Sequence, residues 1–165
     1  DATAGVPQGS TSGYFRTRLA LLGALTEHVA RELAERLGRL EARIDAIPAG
    51  LAGSERSDRV VAAVAGFLGE MTEDGGLARV QAELGIEAMR TPELAGAFDL
   101  WRTEFVRLVA QISERVDPVH ARERAETAAA AFQGVLLAAS LQPAQRRLDW
   151  LTTATRQLVA GLTAD

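Results

Sequence analysis

The sequence predicts an all-α domain. Apolar residues recur at steps of three and four along nearly the whole chain. No run alternates with the two-residue period of a strand, and proline and glycine breaks separate the helical stretches. At 165 residues the chain suits one domain with a real core.

In chain order, the opening stretch AGVPQGSTSGYF (Ala4 to Phe15) is either a Gly/Ser leader or a turn followed by a short helix. Gly5, Val6 and Pro7 supply a turn residue, an apolar anchor and a helix-first proline. Tyr14-Phe15 closes the segment one short helix length later, which favours the second reading. A long helix follows, its apolar face running through Leu19, Leu22, Leu25, Val29, Leu33, Leu37, Leu40, Ile44 and Ile47. Pro48, Gly50 and Gly53 stop it. Ser57 or Asp58 is expected to cap the second helix, with Val60, Val64, Phe67, Leu68 and Met71 facing inward. The run EDGG at residues 73–76 breaks that helix, and a shorter one carries Leu77, Val80, Leu84 and Ala88. RTPEL then starts the fourth, with Thr91 as cap and Pro92 in the first position. Its face is Leu94, Phe98, Trp101, Phe105, Leu108, Ile112 and Val116. VDPVH repeats the device with Asp117 and Pro118, opening an alanine-rich fifth helix through Phe132, Val135, Leu136 and Ala139. The sixth starts at Pro143 and turns Leu148, Leu151, Thr155, Leu158 and Leu162 to one side.

Composition narrows the function classes. Hydrophobic residues make up 47% and charged residues 24% of the chain, which fits a folded domain. The net charge of −4 argues against non-specific coating of nucleic acid, so any DNA contact must use a small local patch. The chain lacks cysteine, which excludes disulfides, thiolate metal sites and cysteine nucleophiles and fits a reducing cytoplasm. The longest weakly polar run, Ala128 to Leu141, carries Gln133 and Ser140 and is too short to span a bilayer, so no membrane partner is expected. His28 and His120 show no ligand spacing, and there is no nucleophile elbow, phosphate loop or dinucleotide turn. Neither catalysis nor a metal or other cofactor is expected.

The segment AGVPQGSTSGYF followed by RTRLALL resembles the TetR family of bacterial transcriptional repressors. The matching residues are the turn Ala4-Gly5-Val6, the aromatic pair Tyr14-Phe15, Arg18, and Ala20-Leu21-Leu22. ELGIEAMRTPELAGAFDLW and AAAFQGVLLAASLQP resemble the family more weakly. The resemblance implies that residues 1–18 end a helix-turn-helix and that residues 19–165 form a ligand-binding and dimerisation domain. It implies two further helices ahead of Asp1, on which Val6 and Phe15 would pack. Without them the opening segment is expected to be mobile and the chain to bind DNA poorly. Three positions depart from the pattern: Pro7 replaces a capping serine, Thr11 an inward apolar residue, and Gly13 weakens the helix by about 1 kcal/mol relative to alanine.

In such a motif the second helix reads the major groove. Gln8 is the expected base reader, Ser10 and Ser12 reach bases or phosphates, and Gly9 permits close approach. Tyr14 and Arg18 hold phosphates. The competing readings are packing for Tyr14 and a solvated helix start for Arg16 and Arg18. Phe67, Met71, Met89, Phe98, Trp101, Phe105 and Phe132 gather the bulky aromatic and thioether atoms of an aromatic-poor chain. They are candidates for an effector pocket, or simply for the core. Gln133 is a polar orienter for that pocket or a surface residue. Ala128, Gly134, Trp150, Leu151 and Leu158 on the last two helices are candidates for a homodimer interface, or for packing within one subunit.

Together these features predict a cytoplasmic, homodimeric regulator that leaves a palindromic operator DNA when a small apolar or aromatic effector binds. The rival readings are a helical carrier or enzyme without DNA binding, and a dimerisation bundle without a pocket.

Overall fold

The computed structural model describes residues 2–3, 5, 7–9, 13–73, 76–114 and 121–163. Ala4, Val6, Ser10, Thr11, Ser12, Val116, Asp117, Pro118 and His120 lie outside the described residues, as do the side chains of Ile112 and Leu162. From Arg18 onward the chain forms α1 (Arg18–Asp45), α2 (Gly53–Glu73), α3 (Leu77–Arg90), a 3₁₀ turn (Pro92–Leu94), α4 (Ala95–Glu114), α5 (Ala121–Ser140) and α6 (Ala144–Thr163). There is no strand among the described residues. No helix is long and apolar enough to cross a membrane.

The start of each helix has a local cause. Thr17, in extended backbone, caps α1 by accepting a hydrogen bond from the Ala20 amide at 3.0 Å. Helix α2 begins at Gly53, earlier than the Ser57 or Asp58 cap that the sequence suggests. The Ala52 carbonyl takes the first helical bond, from the Arg56 amide at 2.9 Å, and the Arg56 side chain donates to the Pro48 carbonyl at 3.3 Å. Ser57 and Asp58 therefore sit inside the helix, where Asp58 pairs with Arg156 of α6. Gly76 opens α3 at φ +82°, a left-handed conformation that glycine adopts without strain. Thr91 precedes Pro92 as expected, but its hydroxyl caps nothing, and Pro92 begins a 3₁₀ turn that passes into α4.

Pro7, Gln8 and Gly9 form no helix in the opening stretch. Gly9 has φ +90°, a conformation that interrupts any helix starting at Pro7, and helical backbone is described only at Gly13 and Tyr14.

α1 crosses the middle of the domain, packed on α2 and α4, while α5 packs on α4 and α6, and α6 on α2. The periodic faces predicted for α2 and for the last two-thirds of α1 are buried: Val60, Val64, Phe67, Leu68 and Met71, with Val29, Leu33, Leu37, Leu40 and Ile44. The first turns of α1 differ. Leu19 and Leu25, expected on the inward face, are exposed, Leu25 at the edge of an open groove that it shares with Leu77 and Val80 of α3, while Leu22 between them is half-buried against the core. Arg147 links two helix ends and the α5–α6 turn. Its guanidinium donates to the carbonyls of Ala139, Gln142 and Thr72 at 3.2, 3.2 and 3.4 Å, placing positive charge at the C-terminal ends of α5 and α2.

Candidate effector cleft and DNA-facing segment

Bulky side chains fill the middle of the domain. Trp101 and Phe105, one turn apart on α4, stack with ring centroids 5.6 Å apart and planes within 5°. Phe67 of α2 lies 6.5 Å from Phe105, and Phe132 of α5 meets it edge-on at 6.3 Å. Each such contact adds about 0.5–1.5 kcal/mol beyond burial of the rings. All four rings are buried, as is Met71. These five residues therefore lie in the packed core, and none of them lines the cleft described next. A small void beside Trp101, bounded by Thr26, Val29, Leu33 and Phe98, is too small to hold a water.

The open cavity lies to one side, between α3, α4 and α5, with a volume of about 480 Å³. Helix α3 lines it with Ala78, Gln81, Ala82, Gly85, Ile86 and Met89. Phe98 of α4 forms its inner wall and also borders the void beside Trp101. Helix α5 contributes Ala130, Gln133, Gly134, Leu136 and Leu137. Two of the seven expected pocket residues, Met89 and Phe98, thus meet here, together with Gln133. Met89 stands at the rim, 79% exposed.

Small residues on the facing helices open the cleft. Ala78, Ala82 and Gly85 follow one another on α3, opposite Ala130 and Gly134 on α5. Leu84 of α3 reaches the core and holds the helix in place. No lining residue is charged. Gln81 is the residue that pattern reading missed. It is 8% exposed and lines the cleft, and its amide has no hydrogen-bond partner among the described residues. The signal was present in the sequence, since Leu77, Gln81, Leu84 and Ala88 step by four, three and four, so a polar residue occupies an apolar face.

The residues expected to meet DNA are exposed where they are described: Gln8, Gly9, Tyr14 and Arg18. Arg18 is exposed but paired. Its guanidinium lies 2.9 Å from the carboxylate of Glu87 on α3, the helix that lines the cleft.

The expected interface residues divide. Ala128 and Leu151 are buried within the protomer, Trp150 and Leu158 are half-buried, and Gly134 opens on the cleft. The exposed apolar surface near the α5–α6 turn comes instead from Leu141 and Leu148, 80% and 56% exposed, with Leu137 nearby in sequence.

A charged cluster joins α1 to α4. Arg107 pairs with Glu104 at 2.9 Å and Glu41 at 3.3 Å. The hydrogen bond to Glu104, then the one to Glu41, raises the Arg107 pKa above the ordinary arginine value, so the guanidinium stays charged at any physiological pH.

Among known proteins, the family model described as "Tetracyclin repressor-like, C-terminal domain" matches residues 55–165, which span α3 to α6 and nearly all of α2. The opening segment lies outside that match. No curated protein and no solved structure matches the chain. With two-thirds of its length matched by this domain, the chain belongs to the TetR family of ligand-responsive transcriptional regulators.

Proposed function

We propose that this chain is the regulatory part of a cytoplasmic, homodimeric repressor that is released from its operator by a small apolar effector. The observation that carries the reading is the uncharged cleft between α3, α4 and α5 in a domain of this family. The Arg18–Glu87 pair supports a route from cleft to DNA, because Arg18 sits at the start of α1 and Glu87 on a helix that lines the cleft. An effector that binds better to the form with splayed recognition segments shifts the population away from DNA.

Gln8, Gly9, Ser10 and Ser12 act at the bases, and Tyr14 and Arg18 at the phosphates. The two copies then read half-sites one helical turn, about 34–36 Å, apart. The dimer forms through α5 and α6. Trp150, Leu158, Leu141 and Leu148 lie at its surface, and Ala128 and Leu151 support it from within.

The test is binding of the full-length protein to palindromic DNA across a range of salt. Affinity falls steeply with salt. Arg18→Ala weakens all sequences alike, and Gln8→Ala relaxes preference at one base pair by about 1–3 kcal/mol. Unchanged operator binding in both variants overturns the DNA assignment. Light scattering that shows a monomer at micromolar concentration overturns the dimer, and Leu141→Arg splits it if the surface is correctly placed.

A further inference from the structure

We infer that the cleft selects an uncharged, mostly apolar molecule carrying a carboxamide or lactam group, and that Gln81 is the residue that reads it. The inference rests on the cleft being the effector site and adds the chemistry of its ligand. Its volume, about 480 Å³, falls within the range of small-molecule sites, roughly 300–1,000 Å³. The walls are aliphatic and aromatic and contain no charge. Among them Gln81 is more than nine-tenths buried, lines the cavity, and has no protein partner among the described residues.

A buried amide offers two N–H donors and a carbonyl acceptor, and leaving them unmet is costly. A hydrocarbon ligand removes water from Gln81 and returns nothing. A carboxylate satisfies the N–H groups, but it sets negative charge beside the Gln81 carbonyl with no lining cation to offset its desolvation. A neutral amide satisfies both ends at once, donating to the Gln81 carbonyl and accepting from its N–H. Gln133, also on the cleft wall but exposed, keeps its access to water and discriminates less.

The experiment uses the full chain and the neutral fluorescent probe N-phenyl-1-naphthylamine, displaced by 2-naphthamide, 2-naphthoate or 2-methylnaphthalene. The expected result is probe fluorescence on the wild type that is lost in Gly85→Leu. That change adds bulk where no atom stands in the way, and it should not lower the unfolding temperature. The amide displaces the probe at concentrations about tenfold or more below those of the carboxylate and the hydrocarbon, a difference of about 1.4 kcal/mol. Gln81→Met keeps probe binding and brings amide and hydrocarbon within threefold of each other. Equal displacement by amide and hydrocarbon on the wild type overturns the amide assignment and leaves the cleft as an apolar site, as does a preference that survives Gln81→Met. A probe that does not bind, or that binds Gly85→Leu equally well, overturns the effector site itself. A fall in molecular mass in Gly85→Leu by light scattering assigns the cleft to a second copy of the chain and overturns the proposal.

Discussion

Around Phe105, helices α2, α4 and α5 press aromatic rings against one another. A few residues away, α3 and α5 leave a cleft lined mainly by alanine, glycine, aliphatic side chains and two glutamines. Both regions draw on Phe98 and on α5, yet they solve opposite problems. Large rings fill the space between helices and leave no room for a ligand. Small residues on facing helices, held apart by larger neighbours such as Leu84, leave a gap. The aromatic residues therefore mark where this chain closes on itself, while small residues serve both ends: Ala125, Ala128 and Ala129 of α5 lie in the core, and Ala130 and Gly134 of the same helix open on the cleft.

The sharpest way to break this contrast is a charge in the core. Leu151 is 0% exposed, so Leu151→Arg is expected to abolish cooperative unfolding in a denaturant titration. The same change at exposed Leu148 leaves the fold intact and reports only on association. Next in size, Phe105→Ala removes the ring that meets three others and should cost about 3–5 kcal/mol in the same titration. If Phe105→Ala cost under about 1 kcal/mol, the ring would stand in loosely packed space and the distinction would collapse.

Smaller effects sharpen the boundary between the two regions. Phe98 belongs to both, being half-buried and bordering both the cleft and the void beside Trp101. An apolar molecule in the cleft should therefore change Trp101 emission through Phe98. Trp101→Phe removes most of that signal, while Trp150→Phe leaves it. In the cleft itself, Gly85→Leu should raise stability by about 0.5–1 kcal/mol through helix propensity alone, and Gln133→Ala should move it by no more than about 0.5 kcal/mol, since neither site is packed. The smallest effect belongs to Arg107. Its raised pKa means that the stabilisation from Glu104 and Glu41 is present throughout neutral pH and is lost only above the unfolded arginine pKa. At a largely solvated site, Arg107→Ala should cost about 0.5 kcal/mol or less and be masked by salt, with no change in pH dependence between pH 5 and 9.

Individual elements show what was legible in advance. The inward face of α2 was readable residue by residue, because a 3.6-residue period and burial coincide wherever a helix has neighbours along its whole length. The α1 face was readable from Val29 onward and at Leu22, which packs against the core. Leu19 and Leu25 continue the same period, but periodicity cannot say whether anything packs over a given turn. The α2 start was misplaced because Ser57 and Asp58 have cap chemistry, while a backbone carbonyl and the Arg56–Pro48 contact made an earlier start. The cleft was half legible. Met89, Phe98 and Gln133 reach it, whereas Phe67, Met71, Trp101, Phe105 and Phe132 do not, since bulk alone does not distinguish a core from a pocket wall.

By itself, the sequence determined the helical class, the number of helices after the opening stretch, and most of the inward faces. These depend on period, local punctuation and burial preference, all carried within a few consecutive residues. Only the tertiary structure decided that the aromatic residues meet at one point, that α3 stands off from α5 to leave a cleft, and that Gln81 is buried there without a partner among the described residues. It also decided that Arg18 reaches Glu87 across 69 positions of chain. Each of these depends on distances between helices, and those are set by how side chains far apart in sequence fill or fail to fill the space between them.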